Sequence, residues 1–197
     1  MADTTKKTII LFSGDFDRVM AALIIANGAA AMGDDVTVFC TFWGLNALRK
    51  PQKVKVQKKF LQGMFGMMMP RGIKKLGMSK MNFAGMGPKM MGMVIKDAGA
   101  MTLQQLLDSA IEQGVNLVAC TMTMDLLGFK KEELLDAVEY AGVAAYLGEA
   151  DEANVNLFIQ ALFGRPRCAA RASAGLRKRV PSPATPGRRQ SRRARAE

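Results

Sequence analysis

The chain contains no histidine. That absence removes the side chain most often used as a general base near neutral pH, and with it Ser-His-Asp and Cys-His hydrolytic arrangements and most His-rich metal sites. Neither a G-x-G-x-x-G run nor a Gly-Lys-Ser/Thr phosphate loop occurs; the turn Ser13-Gly14-Asp15 offers at most a weak phosphate cradle and reads better as a helix cap. Long apolar runs are missing too. The stretch Phe60 to Pro70 has about half of the roughly 20 residues a membrane-spanning helix requires, and Arg71, Lys74 and Lys75 follow at once. Cysteine is sparse and irregular: Cys40, Cys120 and Cys168 form an odd set with no metal-ligand spacing, and the polar start Met1 to Lys7 does not read as a secretory leader. A reducing, cytoplasmic setting is the expectation, in which sulfur chemistry is transient or catalytic.

The charge is present but badly distributed. Of the formal net +11, residues 164–197 contribute +10, through ten Arg and one Lys against Glu197, while residues 1–163 carry 14 Lys and 3 Arg against 16 acids. The expected division is therefore a near-neutral domain over 1–163 and a disordered Arg-rich tail over 164–197, which includes Cys168. Such a tail is suited to phosphate through counterion release, but its Arg-Ala-Pro-Gly composition equally fits an appendage with no part in the domain's work, so nucleic acid is the weaker partner reading.

Within the first 163 residues an α/β alternation is legible. Thr8 to Phe12, Val36 to Cys40, Asn116 to Cys120, Ala137 to Tyr140 and Val155 to Ile159 have strand length and character. Helices are predicted over Arg18 to Met32, from Thr102 to Gly114 and over Val143 to Ala153, with a short one after Gly44 through Leu48 and a loop and short helix from Leu126 to Leu135. The fold class is a three-layer α/β/α domain around a mainly parallel five-stranded sheet. An insertion at about 50–98 breaks the pattern. No acid occurs between Asp35 and Asp97, and Met64 to Met93 holds ten of the sixteen methionines among glycines and lysines. Flexible thioethers make an adaptable apolar surface, and here they are the expected cover for a reactive thiol, a partner-docking face, or a site of peripheral membrane contact. A Cu(I) site of thioethers is the weak alternative.

Cys120 ends a strand, at the edge of an open α/β sheet where ligands bind, and the run Thr121-Met122-Thr123-Met124-Asp125 is predicted as the loop that follows. The bland reading is inert packing at a strand end. Four stretches together resemble the DsrE/DsrF-like sulfur-relay family, in its branch with a Met-rich insertion. They are Ala26-Asn27-Gly28-Ala29-Ala30-Ala31-Met32-Gly33, Val38-Phe39-Cys40-Thr41-Phe42-Trp43-Gly44-Leu45, Ala119-Cys120-Thr121-Met122-Thr123-Met124-Asp125 and Asn154-Val155-Asn156-Leu157-Phe158-Ile159. The resemblance implies a flavodoxin-like domain that forms homo-oligomers and carries sulfane sulfur as a persulfide on Cys120, with sulfur donor and acceptor proteins or low-molecular-weight persulfides as partners and no cofactor.

Around that thiol, Thr121 and Thr123 are candidate hydrogen-bond donors to sulfur and Asp125 a cap for the next helix. Cys40 ends another strand; it is a resolving thiol if the two strands are neighbours and a core residue otherwise. Phe42, Trp43, Met122 and Met124 are candidates for a pocket wall or a subunit interface. The competing class is a non-catalytic interaction module that binds a redox partner or membrane complex through the Met-rich segment.

Overall fold

The computed structural model describes residues 5–160 other than 55, 58, 59 and 83–85; the Arg-rich stretch 164–197 with Cys168 lies outside the described residues. Five parallel strands, β1 (Lys6–Leu11), β2 (Asp35–Cys40), β3 (Asn116–Cys120), β4 (Val138–Ala141) and β5 (Val155–Ile159), form one sheet in the order β4-β3-β2-β1-β5. The helices are α1 (Phe16–Ala31), α2 (Phe60–Met68), α3 (Met86–Asp97), α4 (Leu103–Glu112), α5 (Thr121–Leu127) and α6 (Val143–Glu152). A 3-10 turn over Phe42–Leu48 stands where a short helix is predicted.

Strict alternation along the strands sorts side chains onto two faces. Ile9, Leu11, Val36, Val38, Cys40, Leu117 and Ala119 join the large core under α1 and α4. Those two helices are tied by Asn27, whose amide donates to the Leu106 carbonyl at 2.9 Å and accepts from Gln113 at 2.7 Å. Phe39, Val118 and Cys120 point the other way and form a small second cluster with Tyr146 of α6. The layers are thus α1 and α4, the sheet, and α6. β2 is buried from Val36 to Cys40 because it has a strand on either side and side chains packed on both faces, whereas the edge strand β5 is largely exposed.

Helix limits follow from local chemistry. Thr102 caps α4 in a reciprocal box with Gln105, satisfying two otherwise orphaned N–H groups. Asp15 occupies the N-cap position of α1, but its side chain makes no capping bond, contrary to the duty expected of this turn. The N-terminal end of α1 is closed instead by the Met-rich segment. Phe16 N–H donates to the Gly77 carbonyl at 2.7 Å, and Ser79 donates to the Asp17 carboxylate from its backbone at 2.9 Å and its hydroxyl at 2.6 Å. With protein groups already there, the Ser13-Gly14-Asp15 turn does not present a free phosphate cradle.

Candidate functional site

Cys120 is the last residue of β3 and also the N-cap of α5. The stretch Thr121 to Asp125, predicted as a loop, is therefore helix. Nothing in it breaks a helix, and the first breaker is Gly128, which ends α5 in the left-handed conformation at φ 69°. Asp125 consequently lies on the exposed side of α5 and caps no later helix; its carbonyl accepts from Gln62 Nε2 at 3.1 Å.

The chain leaving β3 turns to the α1–α4 side, where Met124 and Phe129 enter the large core, while the chain leaving β4 turns to the other side as α6. Adjacent strands whose connections depart on opposite faces open a crevice at their carboxyl ends, the position where open α/β sheets bind ligands. Cys120 and Ala141 are paired at that position. Thr121 Oγ1 donates to the Ala141 carbonyl at 3.4 Å, and Gly142 approaches so that a Cβ there would lie 4.0 Å from the same hydroxyl.

The placement agrees with the strand-end argument, but the exposure does not. Cys120 is only 2% exposed, packed among Phe39, Val118 and Tyr146. Tyr146 stacks on Phe39 with centroids 4.8 Å apart, and its hydroxyl is 3.3 Å from Thr8 Oγ1. The cover over the sulfur is thus α6. The Met-rich segment packs on the opposite side of the sheet, where Met69, Ile73 and Leu76 belong to the large core. Sequence reasoning missed Tyr146; its scarcity was the available signal, since the chain has only two tyrosines.

β2 and β3 are neighbours, which the resolving-thiol reading of Cys40 required. Register decides otherwise. Cys40 is paired with Ala119, so both project into the large core, and Cys120, one residue on, projects to the α6 face. The sheet itself separates the two sulfurs. Cys40 is fully buried, and burial pushes its thiol up to about 12, which leaves it protonated and unreactive at neutral pH.

The auxiliary residues divide. Buried Thr123 has its hydroxyl 2.9 Å from that of Thr41 at the end of β2. Met124 is core, whereas Met122 is exposed. Phe42 and Trp43 do not join the Cys120 cluster. The Phe42 ring lies 5.0 Å from that of Phe12, which is 6.3 Å from Phe158, so these rings form a separate patch with half-exposed Trp43 beside it. Gly44 allows the close approach there, because a Cβ would fall 2.1 Å from the Leu11 carbonyl oxygen.

A second group was not anticipated. Glu133 and Arg49, both 1% exposed, are paired at 3.5 Å, and Arg71 reaches the same carboxylate oxygen at 3.3 Å. Arg49 also lies 4.6 Å from the Phe129 ring centroid and donates to the carbonyls of Pro70 at 3.2 Å and Gly66 at 3.3 Å. A signal was present: in a domain rich in lysine, Arg18, Arg49 and Arg71 are the three arginines up to residue 163, and each forms an ion pair with a buried or half-buried guanidinium. A planar fork suits such sites better than an ammonium.

An all-parallel five-stranded sheet with helices packed on both faces places the protein in the class of three-layer α/β proteins. The particular family is shown by sequence: the DsrE/DsrF/DrsH-like family matches residues 3–158, and the chain belongs to it. It is 64% identical over 160 residues to "Uncharacterized protein YrkE" of Bacillus subtilis (strain 168), covering 81% of this chain and all of that one. It is 37% identical over 158 residues to "Sulfur carrier protein DsrE2" of Allochromatium vinosum, covering 78% of this chain and 98% of that one. The solved ychN protein of E. coli aligns over 79% of this chain and all of its own, with 14% identity and a TM-score of 0.48. Among the described residues no helix is long and apolar enough to cross a membrane.

Proposed function

We propose that this protein is a sulfur carrier that holds sulfane sulfur as a persulfide on Cys120. The observation that supports it is the position of Cys120 at the carboxyl end of β3, beside β4, where the two connections leave on opposite faces of the sheet, in a family member 37% identical to a named sulfur carrier. In the first step the Cys120 thiolate attacks the outer sulfur of a donor persulfide; a Cys120 S–S bond forms, the donor S–S bond breaks, and the donor leaves as a thiolate. An acceptor thiolate then takes the outer sulfur and regenerates Cys120. No net oxidation occurs. The role is a carrier's more than that of a high-turnover sulfurtransferase.

Incubation with polysulfide followed by peptide mass spectrometry should show single-sulfur increments on the Cys120 peptide, removable by a thiol reductant and absent in Cys120→Ser. Loading elsewhere that survives Cys120→Ser would overturn the assignment.

One observation favours a second reading, an interaction module that meets a redox partner or membrane surface without using the thiol. Met64, Met67 and Met68 of α2 and Met86, Met90, Met93 and Val94 of α3 are all exposed, at helical spacing, in a segment with lysines and no acid. That reading has partner or vesicle capture intact in Cys120→Ser, whereas the carrier reading has sulfur transfer to the acceptor lost.

We further propose a homo-oligomer closed by the patch of Phe42, Trp43 and Phe158, with Val143 and Leu147 of α6 adding exposed apolar surface. Trp43→Lys should shift the sedimentation coefficient toward the monomer, and a wild-type protein already monomeric at micromolar concentration would remove the idea.

A further inference from the structure

On the α1–α4 side of the sheet, away from Cys120, a cavity of about 470 Å³ opens between α3, the turn at Ile73–Lys75 and the start of α4. Its volume is within the roughly 300–1,000 Å³ usual for small-molecule sites. Ile73, Leu76, Ile95 and Leu103 form its floor and are each nearly buried, with Phe16 of α1 beside them, so the cavity is a recess reaching the core and not a dent in a polar surface.

The polar groups around it are few, and most are occupied. Thr102 and Gln105 are bonded to each other in the cap of α4, and Gln104 donates to Asp108 at 2.9 Å. That leaves two ammonium groups, Lys74 and Lys89, contributed by different elements; both are exposed, and neither forms an ion pair among the described residues. Among the described residues no carboxylate lines the cavity. An apolar recess with two uncommitted cations selects an elongated apolar molecule with one anionic end.

A glycine in the wall supports this. On α3, Gly87 is needed for packing, since a Cβ there would lie 2.2 Å from the Met81 carbonyl oxygen. Gly92, on the same helix and lining the cavity, has no such constraint: a Cβ would meet nothing within 4 Å. A helix-interior glycine is less favourable than alanine, and at Gly92, exposed at the rim of the cavity, there is room for a larger side chain.

We propose that this recess is a binding site for a fatty carboxylate, with the aliphatic chain on Ile73, Leu76, Ile95 and Leu103 and the carboxylate between Lys74 and Lys89. It is independent of persulfide chemistry and is expected unchanged in Cys120→Ser. Titration of the full chain with dodecanoate, followed by calorimetry, tests it. Wild type should bind with one site. Gly92→Phe, which fills the recess from a position with free space, should weaken binding at least about tenfold with its unfolding temperature unreduced, and the pair Lys74→Ala with Lys89→Ala should weaken dodecanoate about tenfold while leaving dodecanol unaffected. Absence of binding to wild type, or binding that Gly92→Phe leaves unchanged, overturns the site. Equal loss of dodecanoate and dodecanol in the lysine pair overturns the assignment of the anionic end.

Discussion

Replacing Glu133 with alanine is expected to destabilise the fold by about 3–5 kcal/mol, the usual cost of breaking a buried charge pair by removing one partner. Glu133 is the shared acceptor of Arg49 and Arg71, and it also accepts from Lys130 N–H at 3.2 Å. Burial pulls the Arg49 guanidinium below its ordinary value, the nearby Arg71 adds to that, and Glu133 opposes both. Without the carboxylate, two guanidiniums remain close together, one of them sealed from water. The backbone holds the same place, because Lys50 N–H donates to the Glu133 carbonyl at 2.8 Å and Leu135 N–H to the Leu48 carbonyl at 2.9 Å, pinning the entry to the Met-rich segment. Urea unfolding should show a lower midpoint for Glu133→Ala, and the double variant Arg49→Met with Glu133→Leu should recover part of it, since an apolar pair replaces a desolvated ionic one. A change below about 1 kcal/mol for Glu133→Ala would show that water reaches the network and that it does not anchor the segment.

The strands were legible because each carries an apolar run bounded by turn residues; Val155 to Ile159 coincides with β5, and Val36 to Cys40 falls one residue short of β2. What the chain does not write locally is which face a side chain takes relative to a distant strand. Whether Cys40 and Cys120 meet depends on β2–β3 register, and a shift of one residue would have put both sulfurs on one face. The short α5 was unreadable for another reason: its start has no Ser, Asp, Gly or Pro, and the cap is Cys120 itself. The cover over the thiol was misjudged because composition pointed at the Met-rich segment, and α6 has just one fully buried anchor, Tyr146, with Ala150 half-buried beside the same cluster. The site was legible as a position on the sheet, while its access was set by a contact between residues 26 apart in the chain.

That anchor carries the second large effect. For Cys120 to accept a sulfur atom, a reagent must reach a residue packed beneath Tyr146, so α6 has to lift or shift. Tyr146 is the single buried residue of α6, held by the Phe39 ring and by Thr8, while Val143 and Leu147 face outward. Truncating a buried aromatic side chain costs about 3–5 kcal/mol, and where reaction follows a rapid local opening, its rate tracks the population of the open form. Tyr146→Ala should therefore speed alkylation of Cys120 by about a hundredfold, the equivalent of about 3 kcal/mol, whereas Tyr146→Phe, which keeps the ring, should stay near wild type. Cys40 supplies the internal control. It lies on the opposite face, fully buried, with its thiol pushed up to about 12, and responds only to global unfolding. Peptide mapping that shows Cys120 labelled early and Cys40 protected would place the opening at α6; labelling of both cysteines in step would mean that the whole domain unfolds and that α6 is no gate.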